Sequence, residues 1–152
     1  MASDEDVNMV LVDTTVWIDF FAGHNTRQVA ALAAFFCRDE DVCTCGVVLT
    51  EVLQGIRKEA DYRRTLSRFD ALLYLPMGRK TFVRAAELYR SLRAEGITIR
   101  KPVDCMIAAV AIEHGVQLLH NDRDFDAIAA YGGLKLAAAD GGPDRNPLGD
   151  EP

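Results

Sequence analysis

Met9-Val10-Leu11-Val12-Asp13-Thr14-Thr15-Val16-Trp17 is the stretch on which the fold turns. Its four apolar residues end at a carboxylate, and so short a run reads as a buried strand. Asp13, Thr14 and Thr15 are capping-type residues ahead of Val16, Trp17, Ile18, Phe20 and Phe21, so a helix is expected to follow at once. Gly23-His24-Asn25 breaks it. Parallel-sheet proteins bind ligands just beyond the carboxyl ends of their strands, and Asp13 stands at such a point.

The same alternation continues outward. Val29, Leu32, Ala33 and Phe36 lie at helical spacing within a helix from about Thr26 to Cys37. Val42 and Cys43 suggest a very short second strand. Thr44 is expected to cap the next helix, where Leu49, Val52, Leu53 and Ile56 form a stripe and Glu51 lies about two turns in. Residues 60–70 read as a basic helix, and Leu72 to Leu75 as a strand before Pro76. A long helix from Arg79 to Ala94 ends at Gly96, and Pro102 opens another that reaches Gly115. Val116 to Leu119 is the fourth strand, with Asp122 directly after it. A last helix from Asp124 to Ala130 leads to Leu134–Leu136, a fifth strand if that run joins the sheet.

This order predicts an α/β fold: three α/β/α layers around an open, mainly parallel sheet of four to five strands. The small residues Ala108 to Ala111 allow their helix to approach the sheet closely, which brings Asp104 near the strand ends. One folded domain over 9–136 is expected, after a flexible acidic extension at 1–8 and before a disordered tail at 137–152.

A chain of 152 residues suits a single domain with a real core. Its acidic start is unlike a signal peptide, and no apolar run has the length of a membrane span, so a cytoplasmic protein is expected. The net charge of −6 belongs to the two ends, for residues 9–136 hold 16 acidic and 16 basic side chains. With four of those acids gathered around a cation, the remaining surface of the core is slightly basic and compatible with a polyanion. Cys37, Cys43, Cys45 and Cys105 make no CxxC pair, and no histidine lies at ligand spacing from them; they read as small apolar residues rather than a zinc or redox site.

Asp13, Glu51, Asp104 and Asp122 carry the chemistry. Singly, each has an ordinary explanation as a helix cap, a favourable charge at a helix N-terminus, or a solvated helix residue. Gathered in one pocket, they do not pack: two like charges ~4 Å apart repel by roughly 4 kcal/mol at an effective dielectric near 20. A divalent cation removes that cost, and carboxylates with water suit Mg²⁺ or Mn²⁺. Asp13, Asp104 and Asp122 are the expected metal ligands, with Glu51 placing a second cation or the attacking water. Such a site suits hydrolysis of a phosphodiester. Arg100 and Lys101, just ahead of Asp104, are candidates for phosphate contact, as are Arg57, Lys58, Arg63, Arg64 and Arg68 with less weight.

Four segments together resemble the PIN-domain ribonucleases of the VapC toxin type. They are Val12-Asp13-Thr14, Thr50-Glu51-Val52-Leu53-Gln54-Gly55, Val103-Asp104-Cys105-Met106-Ile107-Ala108-Ala109, and Leu118-Leu119-His120-Asn121-Asp122-Arg123-Asp124-Phe125. The resemblance spans about 9–136 and places the family's acidic site on Asp13, Glu51, Asp104 and Asp122. Asp124 is auxiliary, and Thr14 matches the hydroxyl residue after the first acid. His120 departs from the pattern, which often has Thr or Ser there. The resemblance implies an endoribonuclease acting on single-stranded or loop RNA, tRNA or another structured RNA among the candidates, and leaving a 5′-phosphate and a 3′-hydroxyl. It also implies a cognate VapB-type antitoxin that lies along an apolar groove and blocks the acids, and a homodimer.

Two other acidic-pocket families fit less well. A haloacid-dehalogenase-type phosphatase has a second acid two residues after the first, where Thr15 stands; a receiver domain has an acid after its third strand, where Pro76-Met77-Gly78 follows Leu75. A PIN-like RNA-binding module without catalysis is the non-enzyme alternative, and the four intact acids argue against it.

Overall fold

A computed structural model describes residues 9–139; the proposed extension 1–8 and residues 140–152 of the tail lie outside the described residues. The chain runs β1 (Met9–Val12), α1 (Thr14–Ala22), α2 (Arg27–Cys37), β2 (Asp41–Cys45), α3 (Gly46–Gln54), α4 (Glu59–Phe69), β3 (Leu73–Leu75), α5 (Arg79–Ala94), α6 (Pro102–His114), β4 (Gln117–Leu119) and α7 (Arg123–Gly132). The strands form one sheet in the order β3-β2-β1-β4, and every pairing is parallel.

That order fixes the layers. From β1 through β2 to β3 the chain steps in one direction, and from β3 to β4 it crosses back. Right-handed crossovers then put α1 to α4 on one face of the sheet and α5 and α6 on the other. Most helix contacts agree: α1 meets α2 and α3, and α3 meets α4, while α5, α6 and α7 pack against one another; α3 also reaches α6. Strand order reverses between β1 and β4, so the crevice at their carboxyl ends is the place where open α/β sheets bind ligands.

The centre of the core is apolar on both faces of the sheet. Leu11, Val12, Cys43 and Leu118 are completely buried, as are Ile107 to Ala111 of α6, where the alanines permit the expected close approach. Trp17 is also core, its ring 4.8 Å from that of Phe69. Gly115, with φ 66, ends α6 in the left-handed conformation and turns the chain straight into β4.

Three local expectations change. Thr44 is not a cap: it lies inside β2, buried, and the residue before α3 is Cys45, which makes no side-chain capping bond. Val42 to Cys45 are all buried, so this strand shows no alternation, and small β-compatible side chains extend it further than its apolar pair suggests. Ile56 lies beyond the end of α3, whose fully covered residues are Val48 and Val52. The last apolar run does reach the sheet, but only as a single parallel bridge between Leu118 and Leu136. Ala137 donates its N–H to the Leu118 carbonyl at 2.8 Å, and Ala137 and Ala139 pack on the core beyond residue 136.

Candidate metal centre at the ends of β1 and β4

Asp13 is the first residue beyond β1, and its N–H donates to the carbonyl of Leu119, the last residue of β4, at 2.9 Å. This joins the two strand ends across the reversal point. The Asp13 side chain also caps α1: Oδ2 accepts the Thr15 N–H at 3.2 Å and the Thr15 hydroxyl at 2.6 Å. That hydroxyl in turn accepts the Asn121 N–H at 3.2 Å, so one small side chain holds the acid after β1 against the turn after β4.

Asp122 caps α7, with Oδ1 accepting the Asp124 N–H at 3.0 Å. Asp104 stands in the first turn of α6, whose Pro102 needs no N–H partner there. Glu51 projects from α3, and its Oε1 accepts the Thr14 hydroxyl at 2.7 Å. Both capping roles are therefore real, and in Asp13 both Thr15 contacts fall on the one oxygen, Oδ2.

The electrostatics join these acids into one cluster. Oxygen atoms of Asp104, Asp122 and Asp124 lie within 4.8 Å of one another. Asp104 is 2% exposed, and its buried Oδ2 has no hydrogen-bond partner among the described residues. Burial pushes its carboxyl up to about 7; Lys101 opposes the shift, and Asp13, Asp122 and Asp124 add to it. Burial also pushes Asp13 up, against the Thr15 hydrogen bonds, with Glu51 contributing in the same direction as burial. In Asp122 burial acts upward too, but the Asp124 N–H, Lys101 and Arg100 outweigh it and hold the carboxyl below its usual range. Asp124, assigned an auxiliary place, sits within the tightest group, whereas Asp13 and Glu51 border it.

Arg100 and Lys101 meet the acids directly. Arg100 bridges Asp122 Oδ1 and Asp124 Oδ2, both at 3.1 Å, and Lys101 Nζ lies 3.3 Å from Asp122 Oδ2. Sequence reasoning placed these cations beside the site without revealing that they pair with its carboxylates. It also missed how Thr15 and His120 hold the site's turns; the only trace is that Asp13 and Thr15, and His120, Asp122 and Asp124, stand two residues apart.

The donors suit a hard divalent cation. An orphaned buried carboxylate oxygen beside two further carboxylates needs positive charge, and Lys101 alone leaves it unpaired. The buried thiols are poor competing ligands: burial first, then Asp41 and Asp104 respectively, push Cys43 and Cys105 up to about 11, and burial likewise raises Cys45, with Asp13 and Glu51 adding to it. Beside Glu51 runs a groove of about 630 Å³, floored by Ile18, Phe21, Val52 and Ile56 and edged by basic side chains including Arg57 and Arg68.

Comparison with known proteins places this geometry in company. A PIN domain family model matches residues 10–131. A VapC ribonuclease of Mycobacterium bovis is 32% identical over 134 residues, which cover 86% of this chain and 98% of the relative. Ribonuclease VapC18 of Mycobacterium tuberculosis is 32% identical over 126 residues, 80% of this chain and 88% of its own. Among solved structures, VapBC2 from Rickettsia felis, bound to a DNA fragment from its promoter, matches with a TM-score of 0.69 at 20% identity over 85% of this chain and 97% of that one. VapBC-1 from nontypeable Haemophilus influenzae matches with a TM-score of 0.67 at 15% identity, covering 86% and 98%. At those identities the structural likeness speaks for the fold.

Proposed function

The chain belongs to the PIN domain family, and from that premise we propose that it is a metal-dependent endoribonuclease toxin restrained by a cognate VapB-type antitoxin. The observation that carries the catalytic part is a buried Asp104 whose Oδ2 has no partner among the described residues and whose carboxylate lies within 4.8 Å of those of Asp122 and Asp124, at the reversal point of the sheet.

Asp13, Asp104 and Asp122 would hold Mg²⁺ or Mn²⁺, with Asp124 as an auxiliary ligand. When bound, such an ion lowers the pKa of a coordinated water and offsets charge on the scissile phosphate. Glu51, whose Oε1 accepts the Thr14 hydroxyl at 2.7 Å, would position the attacking water or a second cation. Arg100, 59% exposed, and Lys101 would make the first contacts with an RNA phosphate approaching the acids. Their present partners are the acids themselves, so phosphate contact requires them to exchange partners.

The restraint follows from the relatives' names and from the groove. An apolar floor that ends at Glu51 suits a segment of antitoxin laid toward the acids. Self-association into a homodimer and a cytoplasmic location complete the proposal; among the described residues no helix is long and apolar enough to cross a membrane.

The test is cleavage of labelled total RNA and a tRNA panel with Mg²⁺ or Mn²⁺, beside EDTA and Asp13→Asn. Discrete fragments lost in both controls support the ribonuclease. Folded, metal-loaded protein that leaves the whole panel intact would favour the non-catalytic RNA-binding module.

A further inference from the structure

Three side-chain acceptors in the site share one local geometry. Asp13 accepts the N–H of Thr15, His120 accepts that of Asp122, and Asp122 accepts that of Asp124. An acceptor on residue i taking the N–H of residue i+2 is the geometry that Asp, Asn, Ser and Thr supply in turns. At position 120 an imidazole does this work: His120 Nδ1 lies 3.1 Å from the Asp122 nitrogen. The two turns therefore run in series, 120 to 122 to 124, through the acids that lie closest together.

We propose that His120 is a positioning residue for the metal centre, acting through the Asp122 backbone; the inference rests on the metal-dependent reading above. To accept that N–H, Nδ1 must carry a lone pair, so the ring proton resides on Nε2. Nε2 lies 3.4 Å from Asp126 Oδ1, and the ring packs against Phe125 with centroids 5.2 Å apart. With its side chain only 12% exposed, the imidazole is held between α7 and the turn rather than offered to solvent.

The role is indirect but specific. Asp122 presents Oδ1 and Oδ2 from a residue whose N–H is fixed by His120 and whose side chain fixes Asp124 in turn. Freeing the Asp122 peptide lets both carboxylates move relative to buried Asp104. Groups one step behind metal ligands typically change metal affinity or activity by about 10- to 100-fold when removed.

The experiment compares Mn²⁺ binding, read by calorimetry and by the EPR signal of free Mn²⁺, for wild type, His120→Leu and His120→Asn. Asn offers an acceptor where Nδ1 stands, whereas Leu fills similar space and accepts nothing. His120→Leu should bind Mn²⁺ at least about 10-fold more weakly, with kcat lowered more than KM changes, and His120→Asn should recover most of the affinity. Equal affinity in wild type and His120→Leu overturns the role while leaving the metal site standing. Equal loss in both variants also overturns it, because packing of the ring would then be what matters. Absence of Mn²⁺ binding by wild type overturns the metal reading and this role with it. Should His120→Leu fail to fold, wild type still decides: a through-hydrogen-bond ¹⁵N–¹⁵N coupling between the Asp122 amide and His120 Nδ1 is expected, and its absence overturns the contact.

Discussion

Replacing Asp104 with Asn separates the needs of the fold from those of the metal. The Asp104 carboxyl is pushed from 3.8 to about 7, first by burial and then by Asp13, Asp122 and Asp124. Between those pH values the unfolded chain has released a proton that the native chain keeps. The native state binds more protons there, so stability falls as pH rises from about 4 to about 7 and does not return above it. A shift of this size corresponds to about 4 kcal/mol at about 1.36 kcal/mol per pH unit. The Asn side chain removes the buried charge, and its amide N–H groups face carboxylates that can accept them. The metal-free variant should therefore be more stable than wild type at pH 8 by roughly 1–3 kcal/mol, or about 3–9 °C in Tm. The assay is thermal unfolding in EDTA at pH 5 and pH 8, repeated at pH 8 with Mn²⁺. Wild type should be less stable at pH 8 than the Asp104→Asn variant and regain stability with Mn²⁺, while the variant gains little from the ion. A variant less stable than wild type at pH 8, or one with an unchanged difference between pH 5 and pH 8, would refute the reasoning.

Other outcomes are open to direct measurement. Neutralising both Arg100 and Lys101 to Gln should weaken RNA binding and flatten the slope of log K against log salt by about 1–2, read by fluorescence anisotropy across a salt series; an unchanged slope removes the phosphate contact. Thr14→Val deletes the 2.7 Å hydrogen bond to Glu51, so kcat should fall about 10-fold with little change in Tm, measured by single-turnover cleavage. Cys37 is exposed and the other three thiols are buried, so a colorimetric thiol reagent should titrate one cysteine rapidly at pH 8 and the rest only on unfolding.

Much of this was legible in the sequence, for identifiable reasons. β1 and its acid stood out because a strand buried on both faces reads as an unbroken apolar run, and Asp13 had to end it. Asp104 was legible through the alanines that let α6 press into the core behind it. Thr44 misled because a hydroxyl residue ahead of an apolar stripe looks like a cap, while pairing of β2 with β1 and β3 kept it in the sheet. Leu136 reaches only one residue of a three-residue strand, so its apolar run overstated a fifth strand. The ion pairs of Arg100 and Lys101 had no local signal: they exist because the start of α6 and the start of α7 meet in space, up to 24 positions apart in the chain. His120 hid for the opposite reason. Its contact spans only two residues, but the ring is not a usual turn acceptor, so its spacing from Asp122 carries little signal.

The most direct measurement is anomalous diffraction at the manganese edge from crystals of the full chain grown or soaked with Mn²⁺. A peak among the carboxylates of Asp13, Asp104 and Asp122, with Asp124 adjoining and Arg100 and Lys101 turned from the acids, is the expected result. Saturating Mn²⁺ that gives no peak there, while Arg100 still bridges Asp122 and Asp124, would contradict a metal centre at the ends of β1 and β4.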